Sequence, residues 1–240
     1  MNLKKIVRLF LAPLRRWEIN HSSNARISYS QCGEDLIISQ LFLQLGLNEI
    51  RYLDIGAHHP SYLSNTFLFY REGGHGVCVE PDPTLYKHFP KIRPRDIHLN
   101  CGVGVRAGYE DFFVLSTPTL NTFSANEAAG YVASGKHKIT NQLKIEIQNI
   151  NQIIEKNFTT CPNLVSLDIE GWDLVVLHSL DFSRHKPQVF CIETLSYTED
   201  NSERKLTEII EFMHFNNYIT YADTYINTIF VDRASWEARP

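Results

Sequence analysis

Short apolar, β-branched runs alternate with amphipathic stretches from Ser30 onward, and no other feature restricts the fold as much. A strand, a helix and a second strand in succession need a crossover, which makes neighbouring strands parallel and lays helices over both sheet faces. The runs that read as strands are Arg51 to Ile55 (RYLDI), Gly76 to Glu80 (GVCVE), Ile97 to Val103, Leu164 to Ile169 (LVSLDI) and Val189 to Glu193 (VFCIE). Ahead of them, Glu34 to Leu47 carries Leu36, Ile37, Leu41, Phe42 and Leu45 at helical spacing. Phe67 to Glu72 reads as a short helix capped by Ser64 and stopped by Gly73-Gly74; Pro83 to Phe89, Trp172 to Leu180 and Ser202 to Phe215 read as further helices. Tyr218 to Tyr221 and Thr228 to Asp232 read as an antiparallel pair closing the sheet. The expectation is an α/β fold with a mostly parallel sheet. Glu110 to Leu115 adds a strand, and Leu143 to Asn157 reads as a strand running into a helix. The polar stretch from Ser116 to Lys138 is too long for an ordinary connection, so it is expected to be a long loop acting as a lid or binding segment, or a disordered one.

The 240 residues suit one domain with an appendage, so residues 1–27 are set apart as a basic arm from a domain at 28–240 with an insertion around 110–140. In Met1 to Trp17, Lys4, Lys5, Arg8, Arg15 and Arg16 sit among Ile6, Val7, Leu9, Phe10, Leu11 and Leu14. That pattern reads either as a helix packed on the domain or a partner subunit, or as a peripheral contact with anionic lipid. Arg8 and Pro13 interrupt it, which argues against a signal peptide, and no apolar run reaches the ~18 residues of a membrane span. The net charge of −4 argues against nucleic acid as a partner. Cys32, Cys78, Cys101, Cys161 and Cys191 show no C-x-x-C spacing and mostly lie in apolar runs, so reduced, buried thiols and a cytoplasmic location are expected. The oligomeric state is not readable.

In open α/β sheets, ligands bind beyond the carboxyl ends of the strands. These ends read Asp54-Ile55-Gly56-Ala57-His58-His59-Pro60, Glu80-Pro81-Asp82, Asn100-Cys101-Gly102, Asp168-Ile169-Glu170-Gly171 and Glu193-Thr194. Four of the five carry a carboxylate, an arrangement that repels itself unless positive charge compensates. Gly56 is followed by His58 and Pro60 where a dinucleotide fingerprint wants further glycines. An acid two residues before the glycine instead suits an ammonium or sulfonium, and Glu80 is placed to take two ribose hydroxyls. A nucleoside joined to a positively charged amino acid is S-adenosylmethionine.

The strings YSQCGEDLIISQLF (Tyr29 to Phe42), YLDIGAHHPSYLSNTFLFY (Tyr52 to Tyr70), EPDP (Glu80 to Pro83), LVSLDIEGWDLVVL (Leu164 to Leu177) and VFCIET (Val189 to Thr194) resemble the FkbM family of S-adenosylmethionine-dependent methyltransferases. The resemblance covers roughly Ser28 to Asp232. It implies a Rossmann-like class I methyltransferase fold with a seven-stranded sheet, and O-methylation of a hydroxyl, often on a sugar or natural product. It places Asp54, Gly56 and Ala57 along the methionine part, Glu80 on the ribose, and Asn100 and Cys101 beside the adenine. Gln31 and Glu34 close over the cofactor, and Ser64 and Asn65 supply polar contacts. His58 and Pro60 depart from the small residues that many methyltransferases keep there.

Methyl transfer to a hydroxyl gains from alignment and from a general base. Asp168 and Glu170 lead as bases, with Glu193 and the His58-His59 pair behind them. The bland alternatives are an Asp168 that only orients a loop, a Glu170 that caps the following helix, and a His59 that is a turn residue before proline. Asp168, Glu170 and Glu193 also suit Mg²⁺, although no metal is expected. Within Thr119 to Ser124, Asn121, Thr122 and Phe123 are expected to read the acceptor, with Glu193, unless this is a plain surface loop. The expected acceptor is a sugar of a surface glycan or its nucleotide-linked precursor. The rival readings are a nicotinamide-dependent sugar oxidoreductase or epimerase and a non-catalytic interaction domain on the same fold.

Overall fold

The computed structural model describes residues 25–196 and 203–240, so the expectations for Met1 to Trp17 and for a helix start at Ser202 lie outside the described residues. The first half of the chain runs α1 (Glu34–Gln44), β1 (Arg51–Ile55), α2 (Phe67–Arg71), β2 (His75–Val79), α3 (Pro83–Tyr86), α4 (Phe89–Ile92) and β3 (Ile97–Leu99). An insertion follows: β4 (Gly102–Gly104), β5 (Gly108–Leu115), a 3-10 turn (Pro118–Leu120), α5 (Ala125–Ala133) and β6 (Ile139–Asn149). The remainder is α6 (Ile150–Asn157), β7 (Leu164–Leu167), α7 (Asp173–Ser179), β8 (Val189–Glu193), α8 (Thr207–Phe215), β9 (Tyr218–Asp223), β10 (Asn227–Asp232) and α9 (Arg233–Glu237).

Seven strands form the main sheet in the order β3-β2-β1-β7-β8-β10-β9. The four pairings from β3 to β8 are parallel, and β10 pairs antiparallel with both β8 and β9, as the sequence predicts. The order reverses between β1 and β7, where Tyr52 to Ile55 align with Leu164 to Leu167. A crevice opens at such a switch point. Alternate side chains of the strands feed two cores. One gathers Leu53, Val79, Val165 and Phe190 with Ile153 of α6, Val176 of α7 and Ile209 of α8. The other gathers Tyr52, Cys78, Leu164 and Cys191 with Ile38 and Leu41 of α1 and Phe69 of α2. Each such side chain, fully buried, contributes roughly 1.5–3 kcal/mol.

Two expectations need correction. Ile97 to Val103 is not one strand: the chain breaks at Asn100-Cys101, β3 stays in the main sheet, and β4 pairs instead with β6 in a second sheet ordered β4-β6-β5. Glycine permits the switch, since a Cβ on Gly102 would lie 2.4 Å from the Phe123 ring and 2.6 Å from Ile147. The stretch from Ser116 to Lys138 is not an unstructured loop, because it holds the 3-10 turn and α5. Ser124 caps α5 by accepting from Glu127 N at 3.2 Å. Ser124 and Glu127 have the spacing of a capping box.

Candidate active site

The site is built where β1, β2, β7 and β8 end. Gly56 leaves β1 with φ 76°, and a Cβ there would stand 1.7 Å from the Asp168 carbonyl oxygen, so this close approach excludes any side chain. The N–H groups of Gly56 and Ala57 both donate to Val79 O, at 3.1 and 3.0 Å, which folds the turn across the end of β2. His58 continues in left-handed backbone (φ 48°), and its N–H donates to Glu80 Oε2 at 2.7 Å. Asp82 N donates to Glu80 Oε1 at 2.7 Å, so one carboxylate braces both turns.

These turns and the insertion enclose a cavity of about 270 Å³. Among the expected residues, Gln31, Gly56 and Glu80 line one part of it. Asp168, Glu170 and Glu193 line another, and Asn121 and Phe123 come in from the insertion. Asn121 is braced, its Oδ1 accepting from Leu115 N at 2.8 Å and its Nδ2 donating to Asp82 at 3.0 Å. Phe123 packs between Phe112 and Trp172, with ring centroids 4.7 and 5.3 Å away.

The other expected residues do not line the cavity. Glu34 is fully buried at the start of α1, where it accepts from Thr224 Oγ1 (2.7 Å), Asn227 Nδ2 (3.0 Å) and Cys32 N (2.8 Å). It ties α1 to β10. Burial raises its pKa, but those hydrogen bonds outweigh burial and hold it below the usual value. Asp54 points into the opposite core, where it accepts from Thr66 Oγ1 and lies 3.7 Å from the guanidinium of the fully buried Arg93. Arg93 also donates to Asp96 at 2.7 Å and to Thr66 Oγ1 at 2.9 Å. Ala57 packs in the same core. Ser64 does not cap the Phe67 helix as expected, since Thr66 holds the cap position; its Oγ accepts from Phe67 N at 3.2 Å from two residues ahead of that cap, and Asn65 donates to Ser166 Oγ at 3.2 Å.

Asn100 spends its amide on the carbonyls of Glu80 (2.8 Å) and Pro81 (3.0 Å), and Cys101 is buried in apolar surroundings that push its thiol up to about 12. Thr122 is fully buried and donates to the Glu170 carbonyl at 2.9 Å. His59 is a turn residue whose Nδ1 accepts from Ser61 N (3.2 Å) and Tyr62 N (3.0 Å); its neighbour His58 lines the cavity instead. Burial lowers the pKa of His58. Of the thiols, Cys78, Cys101 and Cys191 are buried as expected, whereas Cys32 is exposed.

Asp168, Glu170 and Glu193 bring carboxylate oxygens within 4.8 Å of one another. Burial pushes Asp168 up to about 6, held down by a hydrogen bond from Glu193. Burial and the neighbouring carboxylates hold Glu170 and Glu193 well above the usual range. Crowding of three carboxylates raises the cost of ionising all of them, and the group as a whole favours an arriving cation. Its oxygens are also the donors a divalent cation takes. Glu170 is fixed by two bonds from the insertion: Tyr131 Oη donates to its Oε2 at 3.0 Å, and Thr122 holds its carbonyl. It sits at φ 50°, strained for a non-glycine residue. Sequence reasoning missed the Tyr131 bond, whose only signal is the capped helix that carries it. Glu170 does not cap the helix that follows: Trp172 holds the cap position without a side-chain bond, and Asp173 in the first turn braces the preceding loop by accepting from Ile169 N and Gly171 N at 3.2 and 3.3 Å.

A seven-stranded sheet with this order, a crevice at the β1/β7 reversal and an acid closing β2 define a Rossmann-like class I methyltransferase. The chain belongs to the FkbM methyltransferase family, matching the methyltransferase FkbM domain over residues 54–220. S-adenosylmethionine is its methyl donor. No curated protein matches the chain. Among solved structures, it is similar to a TehB-like S-adenosylmethionine-dependent methyltransferase from Corynebacterium glutamicum, with 9% identity, a TM-score of 0.43, and 92% of this chain and 96% of the other covered. An O-methyltransferase from Bacillus cereus in complex with S-adenosylhomocysteine is similar at 12% identity, with a TM-score of 0.42 and coverage of 95% and 88%.

Proposed function

We propose that the chain is an O-methyltransferase whose acceptor is a hydroxyl of a sugar, in a surface glycan or a precursor of one, and that it works in the cytoplasm. The observation that carries this reading is the ionisable carboxylate of Asp168 in the same cavity as Gly56 and Glu80. S-adenosylmethionine supplies a methyl group on a sulfonium and departs as a neutral thioether. Glu80 and the Gly56 turn fit its ribose and amino-acid parts, and the carboxylate trio fits its positive charge. With its pKa near 6, Asp168 is ionised at neutral pH and can take the hydroxyl proton as oxygen attacks the methyl carbon. Phe123, Asn121 and the turn that holds them restrict the direction of approach, which is where alignment gains rate. The five free thiols accord with a reducing compartment.

Titration calorimetry tests the reading. S-adenosylmethionine and S-adenosylhomocysteine should bind at micromolar concentration, NAD⁺ should not, and EDTA treatment should leave both affinities unchanged. Asp168→Asn should lower kcat about 10²–10⁴-fold while S-adenosylhomocysteine affinity stays within a few-fold. NAD⁺ binding without either adenosyl compound, or full activity in Asp168→Asn, would defeat it. Among the described residues no helix is long and apolar enough to cross a membrane. Contact of residues 1–17 with anionic lipid is a separate proposal, tested by liposome co-sedimentation of the full chain against one starting near Ser22.

A further inference from the structure

S-adenosylmethionine brings a sulfonium and an ammonium, which the acids of the cavity fit, and one negative group, the carboxylate of its amino-acid part. Among the described residues, no lysine or arginine lines the cavity to meet that carboxylate. We propose that Gln31 and the imidazole of His58 take it, and that Asp35 is the positioning residue that holds Gln31 in place. The proposal rests on the methyl-transfer reading above and assigns a contact within its donor site.

Without a lysine or arginine, the carboxylate depends on other hydrogen-bond donors, and most of those nearby are committed. The N–H groups of Gly56 and Ala57 donate to Val79 O, and that of His58 donates to Glu80. At the start of α1, Cys32 N donates to Glu34, Gly33 N and Asp35 N to Ser30 Oγ, and Leu36 N to Asp35. That helix end therefore lacks the bare N–H groups of an anion site. Asn121 Nδ2 donates to Asp82. Three side-chain donors on the cavity wall have no hydrogen-bond partner among the described residues: Gln31, His58 and Thr119. Thr119 belongs to the insertion, whereas Gln31 and His58 come from the segments beside the Gly56 turn, along which the amino-acid part runs in the reading above. Burial holds the His58 ring toward its neutral form, which still presents one N–H.

Gln31 owes its place to Asp35. That carboxylate, fully buried in the first turn of α1, accepts from Ser28 Oγ (2.6 Å), Tyr29 N (2.7 Å) and Ser30 Oγ (2.9 Å), three donors from the strap of chain that leads into Gln31. Hydrogen bonds to a charged group are the stronger kind, so the strap is firmly held. It is also pinned to the segment beyond the Gly56 turn: Ser64 N donates to Tyr29 O at 2.9 Å, and the Tyr29 and Phe67 rings meet edge-on with centroids 4.9 Å apart. Ser64 follows Leu63, which lines the cavity together with Gln31 and His58. Gln31 itself is exposed between the bonded Ser30 and Cys32, with its amide left to a ligand.

Calorimetry on the full-length protein with S-adenosylhomocysteine and with its decarboxylated analogue, which keeps the adenosine, the thioether and the amine, isolates the carboxylate. The wild-type protein should bind S-adenosylhomocysteine tighter than the analogue by about tenfold or more, a difference of about 1.4 kcal/mol. His58→Gly, which suits the left-handed backbone there, should shrink that ratio several-fold. Gln31→Glu sets like charge against the carboxylate and should bring the ratio to one or below. Asp35→Asn, which turns an amide toward the donors of the strap, should also shrink it. Each variant should hold the analogue as the wild-type protein does, which a merely structural defect would not allow, and Gln31 is exposed, so Gln31→Glu leaves the core untouched. Equal affinities for the two ligands in the wild-type protein, or an undiminished ratio in His58→Gly, Gln31→Glu or Asp35→Asn, would overturn the proposal while leaving methyl transfer intact. Failure of the wild-type protein to bind S-adenosylhomocysteine would overturn both.

Discussion

Burial and mutual repulsion raise Asp168, Glu170 and Glu193 above the usual carboxylate range, so ionising all three together is costly. A sulfonium entering beside them favours the ionised forms, so its binding releases protons and strengthens as pH rises through about 6. The thioether product lacks that charge. Titrations between about pH 5 and 8 should therefore show a steeper gain in affinity for S-adenosylmethionine than for S-adenosylhomocysteine; parallel profiles would count against carboxylate contact with the sulfonium. Gly56 is the other residue with a sharp consequence. A methyl group there would overlap the Asp168 carbonyl, so Gly56→Ala should cost on the order of 4 kcal/mol or more, read as loss of the cooperative thermal transition. At this scale the sequence shows which residue types end each strand, which is how Glu80, Asp168, Glu170 and Glu193 were found. It does not show which way each side chain turns. Asp54 alternates with Leu53 and Ile55 and so falls on the Arg93 side of the sheet, a partner 39 residues away that no local pattern announces.

Elements marked by apolar runs were legible to within a few residues, α1 and β8 among them: β8 is a short apolar run buried on both faces, and α1 buries Ile38, Leu41 and Phe42. Elements defined by partners were not. The break between β3 and β4 depends on β6, which pairs with β4 from more than forty residues away and takes it out of the main sheet. Helix α5 is weakly apolar, yet its start is written in the Ser124 and Glu127 pair. Ser124→Ala should destabilise α5 by about 1 kcal/mol. The helix carries Tyr131, so the same substitution should lower turnover more than it lowers the melting temperature, and a purely global effect would move both together.

The whole molecule stores electrostatic strain at the mouth of its sheet. Burial raises Asp168 to about 6, Asp173 to about 7 and Glu80 to about 8, all above their values in an unfolded chain. The folded chain then holds protons that the unfolded chain has given up, so stability is greatest near pH 4 for these groups and declines as pH rises toward 8. Thermal melts of the ligand-free protein should show that decline between about pH 5 and 8, with S-adenosylmethionine restoring more at the upper end; a melting temperature rising across this window would contradict it. The topology itself was readable, since alternation implies parallel strands and the last pair reads as a hairpin. β1 pairs with β7 over a long stretch of chain, and at the start of that pair Arg51 N is held by Asn163 Oδ1 across 112 residues. At about 5–20 residues per second, a ribosome needs roughly 5 to 20 s to deliver that partner. Throughout that interval the nascent half-sheet has an open edge where the cleft will form, and chaperones have their best claim on the chain.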